Sequence, residues 1–375
     1  NGFLQNEMID VGEGAVPVFF DADSDGLKDL IIGNVNRTDS GSVVQHSLSY
    51  FRNTGTLTQP SFEFVTDDYA GISSYPISGP LFPTFGDLDG DGDMDLLLGH
   101  EVGELYYFEN TAGVGLPANF VFTTPNYFNI DIGNSSAPQI IDLNRDGKQD
   151  LVIGKKSGII AYFENIGSIS IPFFSSVPTK DTLGGINVQT IGFVDGFSVP
   201  YIYEDSAEYK MLVACMRGDI YSYDGIEGNV LGNYIKQDTL ISRYQGVKTT
   251  FNLSVSGGDI NGDNQIDMLV GLYGGGLQIY LRDTLTSSIS KVERTPLFNV
   301  FPNPANASFK IVADKMSIDR SSRLRIADVS GRILYDELFS GIEDVISTSE
   351  FSTGLYFVSL SNGVFVTTRR LTVLR

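Results

Sequence analysis

The sequence predicts an all-β protein: a β-propeller of four-stranded blades followed by a small β-sandwich. Three observations predict it. A motif first seen as "DADSDGLKDLIIG" at Asp21 returns as "DLDGDGDMDLLLG" at Asp87, "DLNRDGKQDLVIG" at Asp142 and "DINGDNQIDMLVG" at Asp259. Short apolar and aromatic runs travel with it, and no 3.6-residue period competes. Near Lys291 both the charge and the text change: residues 291–375 hold 11 Lys/Arg and 9 Asp/Glu, whereas the first 290 residues hold 14 and 37. That break marks a second domain.

Each repeat has the parts of one blade. An apolar strand precedes the motif ("AVPVFF", "LFPTFG", "SAPQII", "NLSVSG") and an aromatic strand follows it ("LSYFRN", "LYYFEN", "IAYFEN", "LQIYLR"). A fourth strand is expected at "PSFEFV", "PANFVF" and "IPFFSS". In the first copy about nine residues around "NRTDSGSVVQ" form an inserted loop. A worn copy is expected near Asp195, with "VQTIGF" as its first strand and Lys210 where the last aspartate of the motif should stand. Short strands recurring every 53–66 residues are the signature of propeller blades, each burying its faces against its neighbours. Five copies make either a five-bladed ring or an arc of a seven-bladed one. The chain begins at Asn1 without a basic-then-apolar leader, reading as a processed piece and favouring the arc.

The motif carries the chemistry. Counted from its first aspartate, oxygen ligands fall at positions 1, 3, 5 and 9, with a sharp turn at 6 and a main-chain carbonyl at 7, the spacing of a calcium loop. The side-chain ligands expected are Asp21, Asp23, Asp25 and Asp29; Asp87, Asp89, Asp91 and Asp95; Asp142, Asn144, Asp146 and Asp150; and Asp259, Asn261, Asp263 and Asp267. The carbonyls are those of Leu27, Asp93, Lys148 and Gln265. Position 6 is Gly26, Gly92, Gly147 and then Asn264, the non-glycine residue best suited to positive φ. Hard oxygen donors in this number select Ca²⁺, and about four sites are expected; softer metals would want His or Cys, of which the chain has two and one. Position 12 is Ile32, Leu98, Ile153 or Val270 rather than a bidentate glutamate, so the loops join strands and not helices. In the worn copy Lys210 is expected to stand in for metal beside Asp195 or Asp205.

Net charge of −21 excludes nucleic acid as a partner. No catalytic motif is present: there is no H-E-x-x-H, G-x-S-x-G or phosphate-binding glycine loop. His46 and His100 read as loop residues and Cys215 as a small apolar strand residue. The Tyr and Phe of "YYFEN" and "AYFEN" read as core between blades. Four Asp-Ser/Thr-apolar triplets, at Asp181, Asp205, Asp238 and Asp283, resemble bacterial O-glycosylation acceptors.

The repeats resemble the FG-GAP/VCBS-type propeller repeats of integrin α subunits and bacterial surface proteins. The resemblance covers about residues 1–285 and implies that calcium braces hairpins away from the binding face. A Ser/Thr-rich linker (284–295) leads to a tail marked by "NVFPNPA", "DVSGRIL", "STGLYFVSL" and "TTRRLTVLR". Alternating apolar residues around Ser330-Gly331 and Asn362-Gly363 read as hairpins of a roughly seven-stranded, immunoglobulin-like sandwich. This tail, 296–375, resembles the type A C-terminal sorting domain of type IX secretion substrates. The resemblance implies export across the outer membrane to the cell surface or beyond, with an outer-membrane β-barrel shuttle and a surface sortase as partners. Shuttle contacts are expected at Gly354, Leu355, Tyr356, Arg369, Arg370, Leu371, Leu374 and Arg375. Two functions follow for the propeller (1–283): an adhesive or scaffolding module for a protein or glycan ligand, or a secreted polysaccharide-active enzyme with catalytic residues on its loops or upstream.

Overall fold

A computed structural model of the chain describes residues 9, 11–34, 37–38, 44–77, 79–189, 195–241, 254–282, 298–313, 322–329, 331–339, 341, 343–361 and 366–374. The chain separates into two compact units, Asn1–Thr284 and Leu285–Arg375. The expected linker and Arg375 lie outside the described residues.

In the first unit, blade 1 opens with β1 (Val16–Phe20) and β2 (Asp29–Gly33). It passes through a small ribbon of β3 (Arg37–Thr38) and β4 (Val44–Gln45), within the expected insertion, and ends with β5 (Leu48–Asn53) and β6 (Phe62–Thr66). Blade 2 is β7 (Phe82–Gly86), β8 (Asp95–Gly99), β9 (Leu105–Asn110) and β10 (Phe120–Thr124). Blade 3 is β11 (Ala137–Ile141), β12 (Asp150–Gly154) and β13 (Ile160–Phe163). Blade 4 is β14 (Val199–Asp205), β15 (Glu208–Ala214), β16 (Ile220–Asp224) and β17 (Ile235–Ile241). Blade 5 is β18 (Ser254–Gly258), β19 (Asp267–Gly271) and β20 (Leu277–Tyr280). Every blade is an antiparallel meander. β2, β8 and β12 are buried along their whole length, which is why they read as unbroken "LIIG", "LLLG" and "LVIG" rather than as alternating strands. Tyr106, Tyr107, Phe108, Tyr162 and Phe163 are buried core, as their register implied.

One device joins successive blades. The residue after the second strand accepts from the N–H preceding the next inner strand: Leu81 N–H to Asn34 O at 3.1 Å, Ser136 to His100 at 2.9 Å and Ser198 to Lys155 at 3.1 Å. The same bond runs from Ala15 N–H to Leu272 O at 3.1 Å, tying blade 5 to blade 1. Beside it Ser254 Oγ and Ser256 Oγ donate to Ala15 O and Pro17 O, each at 2.7 Å. The inner strands β1, β7, β11, β14 and β18 pack in turn around the ring, β18 returning to β1. The expected arc of a larger ring is thereby corrected: the five blades among the described residues close on themselves. The glycines ending the second strands permit this approach. A Cβ on Gly33, Gly99, Gly154 or Gly271 would lie 2.0–2.1 Å from a carbonyl oxygen of the next blade.

Two strand assignments are also corrected. "IPFFSS" forms no strand; Asn165 Oδ1 accepts from Gly167 N–H and Phe173 N–H and holds it as a turn, while Lys180 bridges to Tyr162 instead. In the worn copy, Val188 and Gln189 lie in no strand and the rest of "VQTIGF" is outside the described residues. Asp195 precedes the inner strand rather than following it. That strand is β14, and it turns into β15 through Ser206 and Ala207, at φ 58° and 65°, a two-residue hairpin with no room for a metal loop.

The second unit contains β21 (Phe298–Phe301), β22 (Ser308–Ala313), β23 (Arg323–Asp328), β24 (Ile333–Leu338), β25 (Glu343–Ser347), β26 (Gly354–Ser361) and β27 (Val366–Val373). They form two sheets, β21-β22-β25 and β24-β23-β26-β27. Phe309, Ile311 and Ile346 of one sheet share a core with Leu324, Ile326, Val358, Leu360 and Leu371 of the other, which makes the unit a sandwich.

Candidate metal centres and the sorting tail

Each intact motif becomes a loop between the first two strands of a blade, with no helix on either side. The first carboxylate organises it. Asp21 Oδ1 and Oδ2 accept from Asp25 N–H and Gly26 N–H (3.1 and 3.0 Å); Asp87 accepts from Gly90 and Gly92 (2.7 and 3.1 Å). Asp142 accepts from Asp146 and Gly147 (3.0 and 2.9 Å), and Asp259 from Gly262 and Asn264 (2.8 and 2.9 Å). At position 3, Asp89, Asn144 and Asn261 accept from the N–H of position 5. At position 5, Asp25, Asp91, Asp146 and Asp263 accept from Leu27, Asp93, Lys148 and Gln265 at 2.8–3.0 Å. Position 6 is left-handed throughout, Asn264 included at φ 61°. Position 4 is left-handed as well (Ser24, Gly90, Arg145, Gly262), a feature the spacing alone did not show.

Position 9 does more than ligand spacing suggested. Asp29, Asp95, Asp150 and Asp267 are fully buried or nearly so. One oxygen of each accepts from the N–H of position 2 (Ala22, Leu88, Leu143, Ile260). The other accepts from the end of the third strand or just beyond it (Asn53, Asn110, Asn165, Arg282) at 2.7–2.9 Å. Burial pushes Asp95 up to about 7 and Asp150 up to about 6, against the lowering effect of these donors.

The four loops are not equivalent. Ligand oxygens of Asp21, Asp23 and Asp29, and of Asp87, Asp89 and Asp91, lie within 4.8 Å of one another; among the described residues no such three-carboxylate group forms in blades 3 and 5, where Asn144 and Asn261 replace an acid. Asp23 Oδ1 is a buried oxygen that no hydrogen-bond donor reaches among the described residues. A hard cation is the ordinary partner for such atoms, so the residues fit Ca²⁺. In blade 1 Arg52 Nε lies 2.6 Å from Asp23, and in blade 3 Lys148 Nζ lies 2.9 Å from Asp146. Among the described residues no Lys or Arg pairs with the blade 2 loop. Burial, and then the neighbouring aspartates, hold Asp89 and Asp93 above the usual carboxylate range. Glu164, whose carboxylate accepts from Asn144 Nδ2 at 3.2 Å, was missed from the sequence. So was Arg52; the signal lay in the variable residue of "YFRN" and "YFEN". In blade 4, Lys210 Nζ is 3.2 Å and Arg282 3.1 Å from Asp205, while Asp195 pairs instead with Lys156 at 3.6 Å.

In the tail, "NVFPNPA" and the terminal strand are physically joined. Asn303 Nδ2 donates to Arg370 O and its Oδ1 accepts from Thr372 N–H; Ala305 N–H donates to Thr372 O, and its carbonyl accepts from Leu374 N–H. Gly354, Leu355 and Tyr356 of β26 pair with Val373, Thr372 and Leu371 of β27. Of the expected shuttle contacts, Tyr356 and Leu371 are buried core residues. Arg369, Arg370, Leu355 and Leu374 reach the folded surface.

Residues 21–98 match the model of the FG-GAP-like repeat, and residues 299–374 that of the secretion system C-terminal sorting domain. The tail is thus a type IX sorting domain on a β-propeller. The protein carrying it is exported by that system to the cell surface or extracellular space. No curated protein matches the chain. Three solved structures are distant likenesses. The first is PorZ, a surface component of the type-IX secretion system of Porphyromonas gingivalis (TM-score 0.30, 13% identity, covering 96% of this chain and 51% of that one). The second is an engineered GH43 glycoside hydrolase (0.39, 11%, 99% and 92%), and the third the GH43B of a Bacteroides ovatus xyloglucan PUL (0.42, 9%, 97% and 90%). The chain spans about half the length of PorZ.

Proposed function

We propose that the chain is a calcium-braced binding propeller, delivered to the cell surface by its tail, with an adhesive or scaffolding role rather than a catalytic one. The observation that carries the calcium reading is the blade 2 loop, where Asp87, Asp89 and Asp91 converge and no protein cation pairs with them among the described residues. Asp87, Asp89, Asp91 and Asp95 would hold the ion there, with the Asp93 carbonyl; the other three loops offer the corresponding ligands. When bound, Ca²⁺ supplies positive charge that lets close carboxylates remain ionised. In blades 1 and 3 it competes with Arg52 and Lys148, so blade 2 is the tightest site. The loops serve the ring because neighbours rest on them: Ser24 Oγ donates to Leu116 O of blade 2, and Arg145 reaches Glu227 of blade 4. Type IX translocon and shuttle recognition falls to the exposed Arg369 and Arg370, with sortase processing to follow. Calcium titration into the metal-free protein tests the ranking: Asp91→Asn should remove the tightest site, Asp25→Asn a weaker one. Equal loss in both variants would refute it.

A further inference from the structure

The ring has a second mouth, on the side away from the calcium loops, and it holds a cavity of about 230 Å³. First residues of the inner strands form its floor: Val16, Phe82, Ala137 and Val199. Glu101, Asn134, Lys156 and Phe197 stand around it. Phe197 is the telling residue. It lies two positions before its inner strand with φ at 45°. The equivalent residue of blade 1 is Gly14, at φ 68°, and that of blade 3 is the small Ser135, at 55°. Three of the four described blades thus place a left-handed residue here, blade 2 having Pro80 instead, and it is a conformation that glycine adopts freely and a bulky side chain resists. Phe197 is nevertheless pinned in it, its N–H and that of Gly196 both donating to Lys156 O at 2.9 and 2.8 Å. Strain of this kind persists only where the surroundings hold it, and it gathers at binding and catalytic sites. The ring it presents lines the cavity, with Lys156 Nζ 5.6 Å from its centre.

We propose that this mouth binds one neutral sugar residue of a glycan, stacked on Phe197. The inference rests on the reading of the propeller as a binding module and names its ligand class. An aromatic face suits the C–H face of a sugar ring. Around it the polar groups are of both kinds, an acceptor in Glu101, donors in Lys156 and both in Asn134, as alternating hydroxyls require. Lys156 is balanced by Asp195 at 3.6 Å, so the mouth is not built for a strongly charged ligand. At about 230 Å³ the cavity has room for a single ring.

The test is ligand-observed NMR and calorimetry on the calcium-loaded full chain, with methyl glycosides of neutral pentoses and hexoses as probes and n-butylamine as the cationic control. At least one glycoside should bind. Phe197→Gly and Glu101→Gln should each weaken it by about tenfold or more, the change expected for losing an aromatic or a charged hydrogen-bonding partner. Phe197→Gly should meanwhile melt no lower than the parent, because it removes strain; a merely structural ring would lower the midpoint. Absence of glycoside binding, preference for butylamine, or undiminished binding in Phe197→Gly would overturn the proposal. Chelator-sensitive melting of the same samples reports separately on the calcium-braced reading.

Discussion

The ninth residue of each loop is an aspartate whose two oxygens are already engaged by backbone N–H groups of two different segments. In blade 3, Asp150 accepts from Leu143 at 3.2 Å, Asn165 at 2.8 Å and the Tyr162 hydroxyl at 2.8 Å. Asp150→Asn should therefore destabilise the protein by about 1.5–3 kcal/mol even after chelation, the value of buried bonds to a charged acceptor, and by more with calcium present, because Asp150 also stands among the ligands of its loop. Asp91→Asn should matter only when calcium is present. Denaturant melts of both variants in each condition separate the keystone from the ligand. In blade 4 burial alone would raise Asp205, but the bonds from Lys210 and Arg282 hold it below the usual carboxylate range. A depressed carboxyl contributes stability above its unfolded pKa of about 3.9 and loses it as pH falls through the folded value. Lys210→Met should cost about 1 kcal/mol or less at neutral pH, and the difference from the parent should fade in acid melts. Ligand spacing was legible in the sequence because it is a local pattern. The keystone role was not, because Asn53, Asn110 and Asn165 lie far along the chain.

At the scale of strands, the glycine closing each motif was visible as a repeated letter without a reason. The reason is the neighbouring blade: Gly154 leaves room for Ser198 O, which a Cβ would approach to 2.0 Å. Gly154→Ala should cost about 1–3 kcal/mol through backbone displacement, read by thermal unfolding. Blade 4 places Ala214 at this position, and it is also the blade without an intact aspartate motif. The second strands were legible because burial on both faces leaves an unbroken apolar run. Outer strands were less so. "IPFFSS" has strand-like composition, yet Phe174 turns into the core against Tyr127 and Phe128, and Asn165 fixes the turn. β17, "IKQDTLI", reads as polar and carries no strand signal, because an edge strand needs little apolar pattern.

For the whole molecule, the copy number was legible and the closure was not, since ring size depends on the angle between blades rather than on any motif. Closure shows in the Ala15–Leu272 bond and in Ser254 and Ser256, partners about 240 residues apart in sequence. The tail was legible as four short motifs in order, and the joining of Asn303 to the terminal strand gives two of them a common physical purpose. Deleting residues 296–375 should leave the propeller inside the cell envelope, checked by surface labelling against the intact chain. The most direct measurement of the central claim is the melting midpoint of the full chain with saturating Ca²⁺ and after chelation. One site filled to a hundredfold over its Kd adds about 2.7 kcal/mol. Chelation should therefore lower the midpoint by about 5 °C or more, several sites adding to the effect. An unchanged midpoint would contradict the account.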